Sequence, residues 1–140
     1  MNLLLDTCVI SELVAKQPNP HIVDWIDSVD EDRLFLSVLT LGEIEKGIER
    51  LTDSRRKGAL MEWLEGALLV RFQDRIVPVD IPVALAWGQL TADLEKQGRR
   101  MPAIDSLIAA TCLHRDLHLV TRDENDFAYS GVTLINPWEQ

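Results

Sequence analysis

Apolar residues along this chain fall into two kinds of segment, short unbroken runs and longer stretches with helical spacing. Leu3-Leu4-Leu5 runs into Asp6. Leu34 to Ser37, Ile76 to Val79, Leu117 to Thr121 and the segment near Val132 to Ile135 have the same form. Each reads as a short strand, and the apolar runs suit strands covered on both faces. Between them lie the helical patterns. Thr7 can cap a helix through Val9, Ile10 and Leu13, which Pro18 and Pro20 end. His21 to Val29 predicts a second short helix with Ile22, Val23, Trp25 and Ile26 on its apolar side. Leu41, Ile44, Ile48 and Leu51 recur at helical spacing, and Asp53-Ser54 ends that helix and starts the next, which carries Leu60, Trp63, Leu64, Ala67 and Leu68. Pro82 fits the first turn of a helix with Val83, Ala86, Trp87, Leu90 and Leu94, closed by Gly98. Pro102 opens a further helix to about Arg115.

Short strands alternating with helices predict an α/β fold with a short, mainly parallel central sheet covered by helices on both faces. At 140 residues the chain is expected to form one domain, residues 1–140, with no repeat or linker. No apolar stretch is long enough to span a membrane, and the start does not read as a signal peptide. Cys8 and Cys112 lie apart inside apolar segments, as reduced core thiols would in a cytoplasmic protein. The net charge of −9, from 23 acidic and 14 basic residues, argues by itself against a polyanionic partner. It suits a basic protein partner. Arg50, Arg55, Arg56 and Lys57 cluster, as do Arg99 and Arg100; contact with a phosphate backbone and solvated helix ends are both open readings.

Four carboxylates change the picture. Asp6 ends an apolar run, Glu43 lies in the stretch Leu39 to Leu51, Asp105 interrupts Ala103 to Leu113, and Asp123 follows Leu117 to Val120. An unpaired charge in apolar surroundings costs several kcal/mol or gives up its ionisation, so these residues point to a shared counter-ion. Mg²⁺ or Mn²⁺ suits carboxylate oxygen best. Each residue also has an ordinary explanation: an Asx turn at Asp6, the helix dipole at Asp105, a solvated position at Glu43, and loop or cap roles at Asp123 and Asp126. Gly47, one turn beyond Glu43, weakens a helix, and a close approach of another element or a substrate would account for it. In parallel α/β sheets, sites gather at the strands' carboxyl ends, where Asp6 and Asp123 are expected.

Taken in order, LLLDTCVISEL at 3–13, SVLTLGEIEKGIERL at 37–51, MPAIDSLIAATC at 101–112 and LVTRDENDF at 119–127 resemble the PIN-domain family, in particular its VapC-like toxin ribonucleases. The resemblance spans essentially the whole chain. It implies a PIN-like three-layer α/β/α sandwich and a metal-dependent endoribonuclease, the toxin of a toxin–antitoxin pair. It places the family's acidic metal ligands on Asp6, Glu43, Asp105 and Asp123, with Asp126 at a further acidic position. Thr7 and Thr121 fall on hydroxyl positions that support the site. The implied cofactor is one or two Mg²⁺ ions, with Mn²⁺ as substitute, and the implied products carry 5′-phosphate and 3′-hydroxyl ends. The implied partners are an RNA substrate, a small antitoxin that blocks the site, promoter DNA reached through the antitoxin, and a second copy in a homodimer. Ile22, Val23, Trp25 and Ile26 are then docking surface or plain core.

Two other functions compete. A phosphatase of the haloacid-dehalogenase type would use Asp6 as nucleophile, but the second acid expected two residues on is Cys8 here. A PIN-fold module that only binds partners would have no need of four acids. His21, His114 and His118 lie at helix ends or in a strand and do not read as a general base, and two distant cysteines offer no structural zinc set.

Overall fold

The computed structural model describes all 140 residues. Five parallel strands form one sheet in the order β3-β2-β1-β4-β5: β1 (Asn2–Leu5), β2 (Leu34–Ser37), β3 (Ile76–Val77), β4 (Leu117–Val120) and β5 (Leu134–Ile135). The helices are α1 (Thr7–Leu13), α2 (Pro20–Ser28), α3 (Val38–Glu49), α4 (Arg55–Trp63), α5 (Leu69–Arg71), α6 (Ile81–Lys96), α7 (Ala103–Arg115) and α8 (Glu124–Phe127). A π-helical segment, Leu64–Leu68, joins α4 to α5, where the sequence predicts one regular helix.

Side-chain alternation along the strands divides the core into two. Leu3, Leu5, Leu34 and Leu36 point to one face, where they pack with Val9 and Ile10 of α1, Ile22 and Ile26 of α2, and Ile44 and Ile48 of α3. Leu4, Leu117 and Leu119 point to the other, against Ile108, Ala109 and Cys112 of α7, Phe127 of α8 and the half-buried Leu90 of α6. This is the expected three-layer arrangement. Each fully buried Leu or Ile contributes roughly 1.5–3 kcal/mol of transfer free energy. Ile22 and Ile26 belong to this core, with Trp25 packed beside them, while Val23 and Trp25 stay partly exposed on α2.

Two details depart from expectation. The strand at Ile76 covers two residues rather than four, because Pro78 has no N–H to donate to the ladder. The cap of α1 is Asp6 rather than Thr7, with its side chain accepting from the Thr7 N–H at 2.9 Å. Elsewhere the punctuation is as read. Ser54 caps α4, and Pro82 lies in the first turn of α6, which Asp80, not singled out by its sequence context, caps. Gly98 closes α6 with φ +72°, its N–H reaching Glu95 O while the Arg99 N–H reaches Leu94 O. No helix is long and apolar enough to cross a membrane.

Candidate active site

The strand order fixes where chemistry is possible. From β1 the chain steps to β2 and β3 on one side, and β4 and β5 lie on the other. The order therefore reverses between β1 and β4, and crevices at such points sit at the carboxyl ends of the strands. Asp6 leaves β1 there, tied by its N–H to Val120 O of β4 at 2.9 Å. Thr121 and Asp123 leave β4 at the same edge.

Asp6 is buried, and its carboxylate is held from both strands. Oδ1 accepts from the Thr7 N–H at 2.9 Å, and Oδ2 accepts from the wholly buried Thr121 hydroxyl at 2.8 Å. Burial pushes its pKa up, the bonds from Thr121 and Thr7 oppose that, and the charges of Glu43 and Asp123 add to the rise. Thr121 also accepts the Asp123 N–H at 3.0 Å. Asp123 occupies the position before α8, but its side chain makes no capping bond, so a cap role does not explain it. Its carboxylate, a carboxylate oxygen of Asp6 and the Cys8 sulfur lie within 4.8 Å of one another.

Glu43 comes from α3. Its Oε1 accepts from the Thr7 hydroxyl at 2.6 Å, and Thr7 Oγ1 stands 3.2 Å from the buried Thr40 Oγ1. Asp105 sits half-buried in the first turn of α7. Its pKa is pushed up to about 6, first by burial and then by the charges of Asp6, Asp126, Glu43 and Asp123. The charges of the other four acids thus reach Asp105, though only Asp6 and Asp123, with Cys8, bring ligand atoms within 4.8 Å of one another; none of the five forms an ion pair with Lys, Arg or His. Asp126 is exposed on α8 and meets the group only through its charge on Asp105.

An arrangement of this kind concentrates hard oxygen donors without a protein cation to balance them. The donor set fits a hard divalent ion. Cys8 is the exception within the cluster. Burial raises its thiol pKa, and it donates weakly to Asp6 Oδ2 at 3.9 Å; sulfur is a soft donor that a hard divalent ion does not favour.

The family model of the PIN domain matches residues 3–130. The chain belongs to the PIN-domain family. Over 136 residues this PIN domain is 38% identical to Toxin FitB of Neisseria gonorrhoeae, covering 97% of this chain and 98% of that protein. It is 32% identical over 137 residues to the VapC ribonuclease Y4jK of Sinorhizobium fredii, covering 98% of each. It superposes on a chain in the structure of FitAB bound to an IR36 DNA fragment with a TM-score of 0.91 and 37% identity, covering 97% of this chain and 95% of that one.

Two features of the PIN domain's site lay outside the sequence reading. Thr40, one helical turn before Glu43, is buried with its hydroxyl against Thr7, and its only mark in the sequence is a hydroxyl residue three positions before the acid. Cys8 read only as core, yet it touches the carboxylates. Gly47 was expected to permit a close approach. A Cβ there would meet nothing within 4 Å, so no element of the fold needs it, and it borders open depressions beside Glu43.

Proposed function

We propose that this chain is the ribonuclease toxin of a toxin–antitoxin pair, and that it hydrolyses RNA phosphodiester bonds with Mg²⁺ or Mn²⁺ held by Asp6, Glu43, Asp105 and Asp123. One observation supports the reading: Asp6, Glu43, Asp123 and Asp126 all act by their charge on Asp105, and no basic side chain pairs with any of the five. The toxin and the VapC ribonuclease among its relatives support it. A bound divalent ion would supply a nucleophilic water at neutral pH and stabilise charge on the phosphoryl oxygens.

The chain's own residues supply positioning. Thr121 and the Thr7 N–H occupy both oxygens of Asp6, so that carboxylate is fixed before any ligand arrives. The Thr7 hydroxyl holds Glu43 by Oε1 and leaves Oε2 free to accept a proton from the attacking water. Asp105 and Asp123 complete the oxygen set, and Asp126 adds charge at its edge. Products with 5′-phosphate and 3′-hydroxyl ends are expected. We place the protein in the cytoplasm as a single 140-residue domain, a homodimer inhibited by a small antitoxin. A basic antitoxin segment suits its charge of −9, and promoter DNA is reached through the antitoxin. The neighbouring FitAB structure, solved on a DNA fragment, supports that last point.

The test incubates antitoxin-free protein with tRNA, rRNA and mRNA fragments in Mg²⁺, in Mn²⁺ and in EDTA, beside Asp6→Asn. Discrete metal-dependent cuts that the variant lacks are expected. Metal binding without any cutting would instead make this a binding module, and a phosphorylated Asp6 would make it a phosphatase.

A further inference from the structure

Six of the fourteen basic side chains are occupied within the protein by ion pairs or hydrogen bonds. Arg71 and Arg75 pair with Glu31, Arg115 with Asp80 and Lys57 with Asp53, while Arg33 and Arg56 bond backbone carbonyls. Arg99 and Arg100 make no ion pair and no side-chain hydrogen bond. The turn at Gly98 carries both beyond the end of α6. A merely solvated helix end would leave Arg99 free in water. Instead its guanidinium lies over the ring of Tyr129, 3.3 Å from the centroid, although Tyr129 follows α8, far along the chain. Tyr129 is 62% exposed, so the stack faces solvent.

The position of this stack gives it a use. Arg99, Arg100, Tyr129 and Asp126 line one cavity of about 380 Å³, and Asp126 is one of the carboxylates acting on Asp105. Lys46 and Arg50 rim a second depression together with Glu43 and Thr7. A polyanion reaching the carboxylates can thus meet cations in both depressions, despite the chain's net charge. Single-stranded RNA is held by this combination of side chains: a planar aromatic or guanidinium face for a base and an arginine for phosphate.

We propose that the Arg99–Tyr129 stack, with Arg100 beside it, is a nucleotide-binding subsite that seats single-stranded RNA next to the carboxylates. The inference rests on the ribonuclease reading and adds the residues that hold the strand. Arg99 and Tyr129 offer the stacking surface, and Arg100 takes a phosphate. These are binding residues rather than catalytic ones.

The experiment measures kcat and KM for cleavage of a short single-stranded RNA taken from around a mapped cut site. It also measures the salt dependence of that RNA's binding in an Asp6→Asn background, which does not cut. Arg100→Ala has no internal contact to lose, so its melting temperature should match the parent. We expect its KM, and that of Tyr129→Ala, to rise about tenfold with kcat retained, while Tyr129→Phe behaves as the parent. The pair Arg99→Ala with Arg100→Ala should reduce the slope of log affinity against log salt by about 0.7, the value for the one single-strand phosphate contact that Arg100 makes. Parental KM and salt slope in the double variant, with Asp6→Asn still abolishing cleavage, would overturn the subsite and leave the ribonuclease reading intact. If the parent cuts no RNA at all, the underlying reading fails and the subsite fails with it.

Discussion

The Thr121 hydroxyl donates to Asp6 Oδ2 at 2.8 Å and in the same place accepts the Asp123 N–H at 3.0 Å. One buried oxygen thereby joins the end of β1 to the end of β4 across the switch point. Thr121→Val keeps the shape and removes both bonds. It leaves the Asp123 N–H without this acceptor and Asp6 without the donor that most strongly holds its pKa down. An unmet buried group costs about 1–3 kcal/mol, so the urea midpoint of metal-free protein should fall accordingly. An unchanged midpoint would show that the hydroxyl is dispensable to the fold.

Asp105 makes the stability of the metal-free protein depend on pH. Its pKa is raised from 3.8 to about 6, so between those values the folded protein binds more protons than the unfolded chain. Its contribution is fully present below about pH 3.8 and is lost as pH rises through about 6. Because Asp105 is only half-buried, solvent screening cuts the full linkage value, to on the order of 1–2 kcal/mol. In EDTA, Asp105→Asn should flatten this part of the profile. At neutral pH it should leave the fold as stable or up to roughly 2 kcal/mol stabler, while weakening Mg²⁺ binding. Denaturant unfolding across that window checks the first part and calorimetric Mg²⁺ titration the second. A melting temperature lowered by many degrees would make Asp105 a structural residue.

How much of this was legible in the sequence differs from residue to residue. Asp6, Asp123 and Asp105 were legible because each stands next to an apolar run, and a charge at the edge of a buried element asks for a reason. The parallel sheet was legible from strand and helix alternation, which also placed Asp6 and Asp123 at one edge. Glu43 needed the family resemblance, since its place in an apolar-periodic stretch with Gly47 one turn on leaves an ordinary solvated glutamate equally open. The cap of α1 was misplaced by one residue because Asp6 and Thr7 are both good caps, and only tertiary contact decides between them: Thr7 turns to Glu43. Thr40 and Cys8 stayed hidden for the same reason. Thr40 meets Thr7, 33 residues away, and Cys8 meets Thr121, 113 residues away. Although Asp6 is only two residues from Cys8, local periodicity does not show that the sulfur turns toward it.

The two thiols give a prediction that is independent of catalysis. Cys8 and Cys112 are free, and burial raises both pKa values, that of Cys112 to about 12. Reactivity requires the thiolate, so the folded protein should react slowly with Ellman's reagent near neutral pH. In denaturant both thiols should react promptly without prior reduction. A single reactive thiol or none in denaturant would reveal an oxidised cysteine. Rapid labelling of the folded protein would mean that Cys8 is ionised beside Asp6, contrary to its surroundings.

Thr7 is the best place to separate positioning from folding. Its hydroxyl donates to Glu43 at 2.6 Å, and Thr7 is only half-buried at the mouth of the site. Thr7→Val removes the hydrogen bond and keeps the branched shape, so metal-free stability should shift by little more than 0.5 kcal/mol, roughly the range for surface changes. Glu43 would lose the contact that fixes Oε1, and its free oxygen would no longer be aimed. Loss of a residue that orients a ligand typically costs about 10–100-fold in activity or metal affinity. We expect kcat for RNA cleavage to fall within that range with KM retained, and Thr7→Ser to restore it because the donor returns. If Thr7→Ser were as impaired as Thr7→Val, the methyl group rather than the hydroxyl would be at work, and Thr7 would be a packing residue. If neither variant changed kcat, Glu43 would need no aiming, and its role in receiving the proton would have to be reassigned.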